Sequence, residues 1–81
     1  MSLSHLRPGT RAIIKNFKHA DQSDGSLVQR LMEMGLTVGT LVEVAHHAPF
    51  GGAIAVRCRG TLIALRTTDA NQIEVQAETE H

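Results

Sequence analysis

Five histidines, one cysteine and eight carboxylates are the residues of this 81-residue chain that could hold a metal or carry a proton. Their spacing keeps the leading candidates, His5, His19, His46, His47 and Cys58, apart. His46 and His47 are adjacent in an extended segment, so their side chains leave opposite faces and cannot share an ion there. Glu43 and His47 are expected on one face of that strand but about 13 Å apart at ~3.3 Å per residue. Cys58 falls in the inward register between Arg57 and Arg59, where a thiol behaves as a small hydrophobe. No H-x-x-E, H-x₃-H or C-x-x-C spacing draws ligands together. Catalysis has no better footing. A nucleophile elbow, a Walker loop and a spaced carboxylate pair are all missing, and Gly9 and Gly51-Gly52 lack the Lys-Ser/Thr of a phosphate cradle. The reading is a protein that is not an enzyme and carries no cofactor, with no metal site built within one chain.

Composition narrows the class further. Eight basic residues balance eight acidic ones, so no global field draws nucleic acid or an anionic membrane. Phe17 and Phe50 are the only aromatic residues. That leaves no platform for base stacking and no aromatic wall for a proline-rich peptide. A single cysteine fits a reducing compartment. No apolar run approaches the ~20 residues of a membrane span, and Met1-Ser2-Leu3-Ser4-His5 lacks the regions of a signal peptide. A cytoplasmic protein without direct membrane insertion is expected.

The elements that position these residues alternate between two periods. After the Pro8-Gly9 turn, Thr10 to Phe17 reads as a first strand, with Ala12 and Ile14 on the core face and Ile13 and Lys15 opposite. Lys18 to Gly25 has loop chemistry. Ser26 and Gln29 have capping-box spacing, and Leu27, Leu31 and Met34 follow at i, i+4 and i+7, which predicts a helix over 26–34 with those three residues facing the core. Gly35 suits the left-handed closing position, with Leu36 beyond it. The period then changes to two. Val42 and Val44 face inward and Glu43 outward. Ile54, Val56 and Cys58 face inward, with Ala55, Arg57 and Arg59 outward. Ile63 and Leu65 face inward, and Ile73 and Val75 form a last short strand. Pro49-Phe50-Gly51-Gly52, Gly60 and Thr68-Asp69-Ala70-Asn71 are the turns. One domain over 1–81 is expected, with its core in 6–76 and residues 77–81 a frayed tail. Five short strands in so small a chain close most economically into a partly open barrel.

The run Leu31-Met32-Glu33-Met34-Gly35-Leu36-Thr37-Val38-Gly39-Thr40 resembles the pattern R-L-x-x-[ML]-G-[LI]-x-x-G of the FeoA family. Leu41-Val42-Glu43-Val44, Ala48-Pro49-Phe50-Gly51-Gly52, Ile54-Ala55-Val56-Arg57, Gly60, Ile63-Ala64-Leu65-Arg66 and Ile73-Glu74-Val75 follow in that family's order across residues 6–76. The resemblance implies a mainly β, SH3-like five-stranded barrel with one helix inserted after the first strand. It implies a cytosolic accessory of bacterial ferrous iron uptake that binds and modulates the permease FeoB through its G-protein domain. The alternative is a small metal-binding protein that delivers ferrous iron to that transporter. Thr61-Leu62 departs from the family, which often has an aromatic followed by a polar or basic residue there.

Contact with a protein partner is the remaining function class, and the residues for it come from register. Leu41 and Leu62 fall outward on their strands, and Phe50 lies at a turn where folding needs no aromatic. Val28 and Met32 edge the helix stripe, while Arg57 and Arg59 supply a basic outer face, extended by Arg66. Each has a bland counterpart: ordinary exposed leucines, a phenylalanine folded over the barrel's open end, a solvated strand face. An exposed edge strand would also allow weak pairing between copies of the chain.

Overall fold

The computed structural model describes residues 1–18 and 26–78, apart from the side chain of Ser26. The polar stretch of 19–25, with His19, and the last residues of the expected tail lie outside the described residues. A 3₁₀ turn at Leu3–His5 leads into β1 (Arg11–Phe17), α1 (Ser26–Glu33), β2 (Leu41–His47), β3 (Ala53–Cys58), β4 (Thr61–Arg66), the single turn α2 (Thr67–Ala70) and β5 (Ile73–Ala77). The strands form one antiparallel sheet in the order β4-β3-β2-β1-β5. Mainly β, with the helix inserted after the first strand, it is the SH3-like arrangement that the family resemblance implied.

The inward positions of the alternation meet in one core. Ala12, Ile14, Val42, Val44, Ile54, Val56, Cys58, Ile63, Leu65, Ile73 and Val75 are all buried in one cluster. Two bulges adjust the alternation. In β1 the register shifts between Ile14 and Asn16, which turns Phe17 inward in place of Asn16. In β2 it shifts between Val44 and His46. Glu43 then lies opposite the outward Arg57 while His47 lies opposite the inward Ile54. The shared face expected for Glu43 and His47 is therefore broken, because one extra residue, Ala45, flips everything beyond it. His47 instead places its Nε2 2.7 Å from the Leu6 carbonyl oxygen and ties β2 to the N-terminal segment. Ala55 was expected outward but is buried. Its single methyl stands in an inner strand between His46 and Ala64, which shade it.

The helix ends as its sequence indicates. Gly35 sits at φ +92°, and the N–H groups of Gly35 and Leu36 donate to the carbonyls of Met32 and Leu31 at 3.0 and 2.9 Å. This double bond is a Schellman closure, which requires the left-handed residue that glycine supplies without strain. At the other end the helix begins with Ser26 itself, and Gln29 donates along the helix to Glu33 at 3.4 Å rather than back toward the start. The expected stripe needs one correction. Leu31 is buried and Leu27 packs partly against the core, but Met34 is 42% exposed. As the last residue before the closure, Met34 is carried off the buried face, and Val28 packs against the core in its place.

α1 meets the core through Leu31, with Leu27 and Val28 packed partly against it. Leu27, Val28 and Leu31 line a cleft with Phe17, Lys18, Thr68, Asp69 and Gln72, next to the end of β4. At its C-terminal end the Gly35 carbonyl receives the Cys58 thiol at 3.8 Å, beside the start of β4.

Candidate functional site

A two-residue turn joins β3 to β4, with Cys58 paired to Thr61 across it. Its central residues both have positive φ, Arg59 at 54° and Gly60 at 83°, the geometry of a type I′ turn. Asn, Asp or Gly usually occupies the first of these positions, because a longer side chain is strained in the left-handed region. Here an arginine occupies it, and its side chain folds back over the helix terminus. Its Nη2 donates to the Thr40 hydroxyl at 3.5 Å, and its Nη1 lies 3.7 Å from where a Cβ on Gly35 would be. Thr40 is buried and shares a 2.9 Å hydrogen bond with Thr37. Three parts of the chain therefore meet under one guanidinium: the end of α1, the 37–40 turn and the β3–β4 hairpin.

Exposed apolar residues lie on those same parts. Met32 and Met34 end the helix, Val38 sits in the turn, and Leu41 begins β2, with 41–59% of each exposed. Continuing the pairing of Glu43 with Arg57 by two residues brings Leu41 level with Arg59. On the outer face of the sheet a row runs Leu62, Arg57, Glu43, Arg11 across four strands. It ends in an ion pair from Arg11 to Glu78 at 2.9 Å. Opposite charges directly across a ladder favour its register.

The seven residues singled out from the sequence do not form one patch. Met32, Leu41, Arg57, Arg59 and Leu62 lie at or near the hairpin end, all exposed. Val28 lines the cleft beside Phe17 and is half-buried, at the edge of the helix's buried stripe. Phe50 lies at the far end of β3, roughly 20 Å from Arg59 at ~3.3 Å per residue. Its ring is fully exposed and does not fold over the barrel. The backbone beneath it is nonetheless tied down: the Thr67 hydroxyl donates to the Gly51 carbonyl at 2.6 Å and the Thr67 N–H to that of Gly52 at 3.2 Å. Register reasoning missed Met34 and Val38. Val38 was legible as an apolar residue in a turn, whereas Met34 was concealed by its helical spacing.

Among the described residues no three His, Cys, Asp or Glu side chains gather as a metal would require. Cys58 is buried. Elsewhere, on β5, the Glu74 carboxylate pairs with both the Met1 amino group and Lys18. The amino group's hydrogen bond is the main reason this carboxyl is held below its ordinary value, with Lys18 adding to it. No described helix is long and apolar enough to cross a membrane.

Comparisons with known proteins agree with this geometry. A FeoA protein from Chlorobium tepidum is 35% identical with a TM-score of 0.82, over 93% of this chain and 68% of its own. Iron(II) transport protein A from Clostridium thermocellum is 36% identical with a TM-score of 0.84, over 94% of this chain and 44% of its own. The zinc-complexed FeoA of Stenotrophomonas maltophilia, described as a prokaryotic SH3 domain protein, is 28% identical with a TM-score of 0.79, over 94% and 89%. A comparison with curated proteins gives no significant match. The family model for the FeoA domain matches residues 1–77. With its helix closure, its hairpin and its sheet order all in place across that span, this chain belongs to the FeoA family, a family of ferrous iron transport accessories.

Proposed function

We propose that this protein is a cytosolic adapter that binds the ferrous iron permease FeoB, through its G-protein domain, and modulates transport. The observation that carries this reading is the exposed apolar surface around Arg59. A domain of 81 residues that leaves Met32, Met34, Val38, Leu41 and Leu62 in solvent displays more apolar side chain at one end than folding calls for, and such patches mark protein contacts. Its membership of a family associated with ferrous iron transport supports a transporter as the partner. The S. maltophilia relative, described as a candidate ferrous iron transport activating factor, supports a modulating role. Binding one state of the permease more tightly than another shifts its populations, and that suffices to change flux.

The test is a ¹⁵N–¹H correlation titration of this protein with the soluble G-protein domain of the permease, nucleotide-free and nucleotide-bound. Localised shifts at the hairpin end or at the Phe50 turn are expected. A spectrum unchanged in every nucleotide state would overturn the adapter reading. Metal delivery is the second reading, and the zinc held by the S. maltophilia relative is what favours it. Anaerobic calorimetry with ferrous iron separates the two, since delivery requires a stoichiometric site.

A further inference from the structure

We infer that Arg59 is the anchor of the partner surface, and that its ligand is an acidic segment bearing apolar side chains. The inference rests on the adapter reading and specifies what the surface accepts.

Backbone geometry is the first support. A bulky residue in the left-handed region is an outlier that the surrounding structure must hold in place. Asparagine would suit the turn better, so turn chemistry does not account for an arginine there. Among the described residues its guanidinium makes one hydrogen bond, the 3.5 Å contact with the Thr40 hydroxyl. That contact and the neighbouring Gly35 orient the fork and leave most of its five donors for an incoming group. A planar fork of this kind matches a carboxylate with two parallel hydrogen bonds.

Charge is the second support. Between Glu43 and Asp69 the chain carries Arg57, Arg59 and Arg66 and not one acidic residue. The whole β3–β4 hairpin is therefore basic in a chain of zero net charge. Glu43, level with Arg57, is the acidic group on the adjoining strand. A carboxylate-bearing partner is complementary to this end, and apolar groups beside the carboxylate would cover Met34, Val38 and Leu41. A second copy of the chain fits less well. Glu74 and Glu78, two of its own described carboxylates, are already engaged by Met1, Lys18 and Arg11, and pairing two hairpin ends would oppose like charges.

The experiment compares wild type, Arg59→Asn and Leu41→Ser in the titration with the permease's soluble G-protein domain. Arg59→Asn puts a favoured residue into the turn, so it is expected to melt no lower than wild type. Its affinity is nevertheless expected to fall about tenfold or more, and wild-type binding to weaken as salt is raised. Leu41→Ser is expected to weaken binding while leaving the salt dependence in place. Arg59→Asn binding as tightly as wild type would overturn the assignment and leave the adapter reading standing. Concentration-dependent shifts at Arg59 and Leu41 in the protein alone would overturn it in favour of self-association. No binding by wild type would remove the adapter reading and this inference together.

Discussion

The N–H of Leu36 donates to the carbonyl of Leu31 at 2.9 Å, joining two residues that are both buried in the core. The bond fixes where the helix stops and how the chain leaves it, and so places the 37–40 turn under the β3–β4 hairpin. The apolar surface around Arg59 depends on this closure.

Gly35→Ala is expected to destabilise the domain by ~1–2 kcal/mol, the cost of an L-residue in the left-handed region. The added Cβ would lie 3.7 Å from Arg59 Nη1, an ordinary contact, so backbone conformation and not crowding sets the loss. Urea denaturation measures it, and Gly35→Asn should fall between the two. Equal midpoints for Ala and Gly would contradict the closure described here.

Leu31→Ala removes a side chain only 1% exposed at the contact between helix and sheet. A loss of about 2–5 kcal/mol is expected. A domain of this size has roughly 4–12 kcal/mol in hand at ~0.05–0.15 kcal/mol per residue, so the variant approaches its unfolding threshold. Thermal melting followed by circular dichroism reads the shift.

Phe50→Ala takes away a fully exposed ring from a turn whose backbone is held by Thr67. Stability is expected to change by less than about 0.5 kcal/mol. A larger drop in melting temperature would show that the ring packs in solution. With folding intact, any loss of iron uptake by this variant reports on a contact with the partner.

Glu74 contributes a pH dependence of definite sign. The Met1 amino group and Lys18 lower its folded pKa, so its contribution to stability is present above the unfolded carboxylate value. It is lost as pH falls through the lower folded value. Glu74→Gln should therefore be less stable than wild type at neutral pH, and the gap should close in acid below the ordinary carboxylate range. Melting curves from pH 7 to pH 3 measure it. A gap that widens in acid would refute the pairing.

Much of the sheet was legible because alternation of period two is a direct record of burial: Val42 and Val44, or Ile63 and Leu65, cannot face water at low cost. The helix closure was legible for a similar reason, since Gly35 followed by Leu36 encodes a backbone conformation. The bulges at Lys15 and Ala45 were not. An extra residue leaves no mark in composition, and only pairing with a neighbouring strand reveals it, which is why Glu43 and His47 were assigned to one face and prove to lie on opposite ones. Ala55 was misplaced because register predicts direction, whereas burial also depends on the size of the neighbours. Arg59 was legible only as one residue of a basic outer face, not as the residue that folds back onto Thr40. Its significance is a positive φ and a fold-back onto Thr40, and both are products of tertiary structure.

The separation of Phe50 from Arg59 by the length of β3 has a thermodynamic corollary. Residues that far apart and without shared neighbours contribute independently within this chain, so the free energies lost on altering each should simply add. Any departure from additivity in the double variant's affinity then arises in whatever both ends touch. The small barrel serves in that case as a calliper, and the coupling between its two tips measures how stiff its partner is.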